Sequence, residues 1–578
     1  MEALCLSGKG FSHGPAAAGG RPELPKISRN VKYGTEQSGG NRVYCITLRR
    51  LPKRHPRRDA ALWSVLAGLL LPLSVSAAPP RFDISRFDVQ GNTLLAPAEL
   101  DTLLAPHRGA DRDFGDVQRA VEALQAAYAR HGFTLVRVAL PEQELNGGVV
   151  RFQVVETRVG RVAIEGNRFH DDANIRHSLP GLAEGTLPNI ARISASLAQA
   201  NENPSKKTTL QLKDGARPDE VDARLAVVDE KAWSVALNVD NTGLEQTGKT
   251  LVGVVYQNAN FAGLDHVLSL QYTTTAEKPK KVSVYGAGYH LPLYALGDSL
   301  DFYANYSDVD SGTVLAGILD LQVSGKGTVY GARYNHSFGN LGPVESSASL
   351  GFDYKAFRNG VTFQGFPVGN DVTVHPLSLA YAGTWKAGAS VTALTLSLAR
   401  NLPGGDRGGT DDFERVRSGA RPGYTLARLG AAYTRSLGLD WQLRLAAAGQ
   451  YSRDALVPGE QFGAGGVGSV RGFLTREISG DKGYSASAEL YTPELCARWQ
   501  GAAVSCRALV FYDAAHVSRI DPLPGEVSSV SIGSAGAGVR AALGRHATLQ
   551  LDLGHVVDGG PVEARGRNRL NFKLSLAY

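Results

Sequence analysis

The sequence predicts two tandem α+β modules followed by an antiparallel transmembrane β-barrel of about 16 strands. Three observations lead there. An apolar segment with the layout of an export signal ends near residue 78. A strand–helix–helix–strand–strand pattern occurs twice between residues 82 and 230. After Trp233 helical periodicity disappears, and segments of roughly 10 residues with alternating polarity take its place.

The export signal explains most of the charge. The 578-residue chain carries a formal +6, yet residues 1–60 hold 12 Lys/Arg against 4 Asp/Glu. The remainder is therefore close to neutral, and no nucleic-acid partner is implied for it. The basic run LRRLPKRHPRRD (48–59) leads into the apolar run AALWSVLAGLLLPLSV (60–75) and the small residues Ser76, Ala77 and Ala78. This is a signal peptide over 48–78, cleaved after Ala77 or Ala78; its apolar run is too short to span a bilayer as a helix. Residues 1–47 exceed what export needs, so they are a long leader, or translation starts at the codon read here as Val43 or Leu48. Within this leader GFSHG (10–14) matches a nucleophile elbow as a string, without the flanking strand and helix that the chemistry requires.

Two of the four cysteines, Cys5 and Cys45, fall in the leader. Cys496 and Cys506 remain in the exported chain, where an isolated pair is expected to form a disulfide across a turn.

The first module covers 82–157: RFDVQGN, PAELDTLL, FGDVQRAVEALQAAYARHG, TLVRVAL and GGVVRFQVVE. In its second helix Phe114, Val117, Val121, Leu124 and Tyr128 recur at spacings of 3 and 4, one apolar stripe against a sheet. The second module covers 158–230: GRVAIEGN, DDANIRHSL, NIARISASLAQANEN, KTTLQLKDG and EVDARLAVVDE. Gly91-Asn92 and Gly166-Asn167 follow the first strand of each, which marks a repeat.

The barrel is expected over 232–578. Leu300, Phe302, Ala304 and Tyr306 oppose Asp301, Tyr303, Asn305 and Ser307; Leu549, Leu551 and Leu553 oppose Thr548, Gln550 and Asp552. Phe572, Leu574, Leu576 and Tyr578 share the apolar face of the final segment. In a closed barrel the apolar face meets lipid and the polar face meets a wet lumen. The alternative is a soluble all-β repeat protein, which would not need the export signal and the aromatic terminus together.

Residues 243–250, GLEQTGKT, match the phosphate-binding loop of nucleotidases, and ALVFYD (508–513) looks like a magnesium-binding partner. A phosphate loop must open a helix, whose N-terminal amides hold the phosphates. The segment that follows, LVGVVYQNANFAG, is a strand, so the match is a hairpin turn and no nucleotide or other cofactor is expected. Period 2 then places Phe511, Asp513 and Ala515 on one face of the second segment. The carboxylate cannot face lipid cheaply, so this face is the lumenal one.

At this point the chain resembles the two-partner secretion transporters of the ShlB/FhaC/HecB family, within the superfamily of POTRA-barrel outer-membrane proteins. GNTLLAPAEL and VALPEQELNGGVVRFQVVE resemble the first POTRA domain of that family, and VDNTGLEQTGK its first barrel hairpin. GSVRGF (468–473), within QFGAGGVGSVRGFLTREISGDKG, resembles the superfamily tetrad at the tip of a loop folded back into the barrel, here 453–482. FYDAA (511–515) resembles the strand motif that receives that tip. The resemblance implies that Val470, Arg471, Gly472 and Phe473 meet Phe511 and Asp513 in the lumen, with Arg471 pairing with Asp513. It also implies two POTRA domains in the periplasm, and a secreted β-helical partner protein, haemolysin-like or adhesin-like, that they capture without nucleotide hydrolysis. Phe572 and Tyr578 would form the C-terminal signal read by the barrel assembly machinery, and the outer face would meet outer-membrane lipid. Two features depart from the pattern: Ala515 stands where the motif has Gly, and only a short segment separates the cleavage site from the first module, which leaves little room for a plug helix.

Three other functions fit parts of the sequence. An assembly factor for other barrels is the main alternative, disfavoured by having two modules rather than a longer array. A barrel enzyme using Asp513 and His516 is disfavoured because residues three apart on a strand face opposite ways. A plain diffusion pore would not need the modules.

Overall fold

The computed structural model describes residues 81–578, apart from 310–312, 317–320, 325, 342, 359–361, 364–365, 368–369 and 497–502. The leader, the signal segment, GFSHG, Cys5 and Cys45 lie outside the described residues.

In the first module a three-stranded sheet (Arg86–Gln90, Val149–Val155, Arg137–Ala139) is covered by helices α1 (Pro97–Leu104) and α2 (Phe114–Arg130). The first two strands run parallel and the third antiparallel. The α2 start is fixed by a reciprocal cap, in which Asp113 accepts from the Asp116 amide and Asp116 accepts from the Asp113 amide. Val117, Leu124 and Tyr128 bury against Phe152 and Ile84 as the stripe predicts. Phe114 does not: it is 59% exposed, because as the first helical residue after the cap it lies outside the helix–sheet contact. A small pair of strands, Phe82–Ile84 with Gly109–Arg112, adds to the expected elements.

The second module repeats the plan with strands Arg158–Glu165, Glu220–Asp229 and Lys206–Asp214 under α3 (Asp172–His177) and α4 (Ile190–Ala200). Its core is Val162, Ile175, Ile193 and Leu225. The Gly-Asn repeat has a physical basis in both modules. Gly91 and Gly166 have φ of +82° and +91°, and a Cβ at either would strike the carbonyl oxygen of Val154 or Val227. Asn92 then accepts from the Leu95 amide, and Asn167 donates to the His170 carbonyl, closing equivalent turns.

Sixteen antiparallel strands close into the barrel. They are β1 (Trp233–Asp240), β2 (Leu251–Phe261), β3 (His266–Thr275), β4 (Val282–Leu293), β5 (Asp298–Val309), β6 (Lys326–Leu341), β7 (Val344–Arg358) and β8 (Val372–Val374 and Pro376–Ala387, interrupted only at His375). They continue as β9 (Ser390–Asn401), β10 (Thr425–Ser436), β11 (Gln442–Ser452), β12 (Lys482–Tyr491), β13 (Val504–Ser518), β14 (Ser529–Leu543), β15 (Ala547–Asp558) and β16 (Asn568–Ala577). β16 pairs with β1 from Lys573↔Asp240 to Ala577↔Ala236, which removes any free edge. The faces alternate as the sequence predicts: on β13, Val510 and Tyr512 point outward while Phe511 and Asp513 are buried inward. Outward-facing Tyr272, Tyr285 and Tyr306 lie side by side on β3, β4 and β5, an aromatic belt at one rim.

GLEQTGKT is the turn between β1 and β2 and opens no helix. Leu244 bridges Gly248, Gly248 has φ +105°, and Lys278 donates to the Glu245 and Gln246 carbonyls. Connections on this far side are long, whereas those on the module side are mostly tight turns. On the module side, Cys496 in the connection after β12 forms a disulfide with Cys506 of β13, with Cα atoms 5.3 Å apart.

Candidate functional site

The far-side connection between β11 and β12, residues 453–481, folds back into the lumen. Its limbs pair as a two-stranded stem, Phe462–Ala464 with Ile478–Gly480, and its tip carries Val470 to Phe473. Val470 and Phe473 are fully buried with Ala515, Val517, Ile532 and Val556 on the wall formed by β13, β14 and β15. Ala515 in the motif's Gly position is therefore part of the apolar seat for the tip.

Arg471 is 4% exposed and its guanidinium is fully engaged. Nε donates to Asp513 Oδ2 at 2.7 Å and Nη2 to Oδ1 at 2.8 Å, a planar fork on β13. The Arg471 main-chain N–H donates to the same Oδ2 at 3.1 Å. Nη1 donates to Glu489 on β12 at 2.7 Å, and Asp552 on β15 lies 3.5 Å away. The guanidinium also stacks on the Phe511 ring, 3.5 Å from its centroid. A charge this buried needs this much compensation.

All six residues the sequence assigns to the tip and its receptor thus converge: Val470, Arg471, Gly472, Phe473, Phe511 and Asp513. Gly472 is required by its φ of +95°, whereas a Cβ there would meet only ordinary contacts. The close approach falls on Gly554 of β15, where a Cβ would lie 2.7 Å from the Gly472 amide nitrogen and 2.9 Å from its Cα.

Sequence reasoning missed Ser487, Glu489 and Asp552. Ser487 donates to Asp513 Oδ1 at 2.7 Å, and Arg540 pairs with Asp552 at 2.9 Å. The signal was present in YSASAELY: Ser485, Ser487 and Glu489 alternate with Ala486, Ala488 and Leu490, so a carboxylate in that strand had to face inward.

Beside the tip lies a lumenal cavity of about 530 Å³, lined by Val467, Gly468 and Arg471 of the loop and by polar residues including Asp240, Gln550 and Lys573. Phe572 lies on the other face of β16 from Lys573, opposite Leu551 of β15, and its amide donates to Asn241 Oδ1 at 2.9 Å. Tyr578 stays exposed at the end of β16, where its main chain pairs with Val235 and its ring lies 5.8 Å from that of Trp233.

A second polar cluster joins the second module to the barrel. Lys206 and Asp265, each fully buried, form an ion pair between the module strand Lys206–Asp214 and the β2–β3 turn. Lys206 also donates to Asn174 at 2.8 Å, and the Tyr294 hydroxyl donates to Asp265 at 2.9 Å. Asn174 reaches the Gly263 carbonyl, Asn203 that of Ala259 and Ser196 that of Tyr294. Burial pulls the Lys206 pKa below its ordinary value, and Asp265 works against that pull.

Nearby, Asp229, His170 and Ser205 form a hydrogen-bonded series of hydrolase type, His170 Nδ1 to Asp229 at 3.2 Å and His170 Nε2 to Ser205 Oγ at 3.2 Å. His170, Ser205 and the Asp229 carboxylate are buried, and Ser205 Oγ is also bonded to Asn203 at 2.8 Å. Asp229 accepts from the Arg168, Phe169 and His170 amides. The series braces the 167–170 turn and gives a substrate no access.

The family model of the haemolysin secretion/activation protein ShlB/FhaC/HecB matches residues 219–541, and that of the ShlB-type POTRA domain matches residues 82–157. The outer membrane transporter CdiB of Escherichia coli O6:K15:H31 (strain 536 / UPEC) is 26% identical over 500 residues, covering 82% of this chain and 80% of that protein. The hemolysin transporter protein ShlB of Serratia marcescens is 26% identical over 421 residues, 72% of each chain. In fold, the chain is similar to the solved CdiB from Escherichia coli, with a TM-score of 0.69 at 22% identity over 88% of this chain and 93% of that one. A sixteen-stranded barrel with an inward-folded loop, a matched POTRA domain and a family match across the barrel converge on one conclusion: the chain belongs to the haemolysin secretion/activation ShlB/FhaC/HecB family and resides in the outer membrane with its POTRA region in the periplasm.

Proposed function

We infer that the chain is an outer-membrane transporter of two-partner secretion, which takes one unfolded partner protein from the periplasm through its barrel to the cell surface. The observation that carries this reading is the family match, set beside a lumen obstructed by a loop whose tip is held by one arginine fork. The two modules act as POTRA domains that capture the partner by adding its strand to a sheet edge, which uses main-chain hydrogen bonds and needs little sequence specificity. The junction around Lys206 and Asp265 keeps the second module at the barrel mouth. The Arg471 loop is a two-state element: docked, it fills the lumen; displaced, it clears a path, and the partner shifts the balance by binding the displaced state. Folding of the partner outside supplies the drive. Outer-membrane lipid meets the aromatic outer face, and the barrel assembly machinery receives the chain through the β16 terminus with Phe572 and Tyr578.

The test is co-expression with a candidate partner, a large secreted protein sought in the neighbouring reading frame. The partner is expected at the cell surface only when the chain is present. Deleting Arg86–Glu156 should abolish export while leaving a folded, heat-modifiable barrel. A partner that reaches the surface without the chain, or with the deletion, contradicts the reading.

A further inference from the structure

We propose that the inward loop has a second anchor on a separate stretch of the wall, formed by Glu460 with Lys355 and Arg428, and that this anchor keeps the stem of the loop seated while the Arg471 tip moves. The proposal rests on reading the loop as the pore's obstruction, and it assigns Glu460 as a positioning residue for transport.

Glu460 ends a short helical turn, Pro458–Glu460, just before the stem, and is 1% exposed. Its Oε1 accepts from Lys355 Nζ of β7 at 2.8 Å, and its Oε2 accepts from Arg428 Nη2 of β10 at 3.4 Å. Its main-chain carbonyl accepts from Gln450 Nε2 of β11 at 3.0 Å, and Gln450 Oε1 in turn holds Arg428 Nε at 2.9 Å. A buried carboxylate is tolerated only when paired, and these two cations come from strands that are not neighbours. Apolar packing would have filled the space. Two converging cations fix a position.

The descending limb is tied as well. Asp481, fully buried, forms a bidentate pair with Arg417 and accepts from the Leu456 and Ile520 amides at 2.9 and 2.7 Å. Glu460 thus binds the stem to β7 and β10, whereas Arg471 binds the tip to β12 and β13. Between them the chain passes Gly465 and Gly466, with φ of +117° and +84°, and then Gly468, which has open space around it. Glycines in this conformation are where a stem and a tip can part. The path cleared by the tip is therefore on the side of the 530 Å³ cavity, along β1, β15 and β16, while the β7–β10 side stays filled.

Full-length protein in planar bilayers tests this, with surface display of the partner measured in parallel. Arg471→Ala and Glu460→Gln should each raise the frequency of channel opening severalfold. The double variant should exceed both and show a larger conductance step, because the stem leaves as well. Glu460→Asp, which keeps the charge between Lys355 and Arg428, should stay closer to wild-type quiet than the isosteric Glu460→Gln, an order that a merely structural effect of changing Glu460 would not produce. If Glu460→Gln fails to give a heat-modifiable barrel, Lys355→Gln provides the same readout from the partner side. Wild-type behaviour of Glu460→Gln and Lys355→Gln beside an active Arg471→Ala overturns the second anchor and leaves the lock intact. A double variant no different from Arg471→Ala overturns its independence. Wild-type behaviour of all the variants removes both anchor and lock.

Discussion

Arg471 and Asp513 meet through a complete fork: the Nε–Nη2 edge of the guanidinium engages both carboxylate oxygens, at 2.7 and 2.8 Å, and the Arg471 amide adds a third bond to the same carboxylate. Removing one member of a buried pair costs about 3–5 kcal/mol, enough to depopulate the docked tip. Arg471→Ala should raise channel opening and lower export of the partner. Arg471→Lys keeps the charge but cannot fork, so it should fall between wild type and alanine. Bilayer recordings with surface assay of the partner measure both, and wild-type behaviour of the alanine variant would remove the lock from the mechanism.

Gly554→Ala should reproduce the Arg471 phenotype without touching a charge. The added methyl would sit against the Gly472 amide and Cα, both backbone atoms, so the tip has to move away. Gly472→Ala should be milder, about 1–2 kcal/mol, because it meets only the cost of a left-handed φ. Equal conductance in Gly554→Ala and wild type would show that the tip does not rest on β15.

At the module–barrel junction, single and double changes should diverge. Lys206→Met leaves Asp265 buried and unpaired, and Asp265→Leu leaves Lys206 so; each should cost about 3–5 kcal/mol of docking. The double variant replaces the pair with apolar contact and should recover most of the loss. Hydrogen exchange across 259–265 in the full chain measures docking. A double variant as exposed as the singles would contradict this account.

The second module should loosen in acid through Asp229. Burial works against this carboxylate's charge, but the Phe169, Arg168 and His170 amides and the His170 ring hold its pKa below the ordinary value. A depressed pKa means that the stabilisation is present above the unfolded value of about 3.9 and is lost as pH falls through the folded one. Exchange at the Phe169 and His170 amides, corrected for intrinsic rates, should be much faster in Asp229→Asn than in wild type at pH 6, and the two should converge towards pH 2. Matching protection at pH 6 would show that the carboxylate does not hold this turn.

The sequence carried the architecture because barrel strands and α/β modules announce themselves by period. Alternation placed Phe511 and Asp513 inward and Val510 and Tyr512 outward, and the Gly-Asn pairs at 91 and 166 marked the module repeat. The tip and its receptor were legible only through GSVRGF and FYDAA, the motifs that carry the family resemblance. What stayed hidden depends on strands far apart in sequence. Glu460 reaches Lys355 and Arg428, and Lys206 reaches Asp265, across registers that no local pattern specifies. Gly554 looked like any strand glycine until the tip was seen against it. Phe114 misled for the opposite reason, since a helical stripe shows which face is apolar but not where the contact with the sheet begins.

The central claim is that the partner travels through the lumen, and neighbouring positions on β15 test it most directly. Gln550 lines the cavity and Leu553 points outward. A photo-crosslinking residue placed at each in turn, with the partner stalled in transit by a folded C-terminal domain, should give an adduct from position 550 and none from 553. An adduct from 553 alone, or none from 550 while the partner is stalled, would contradict passage through the barrel.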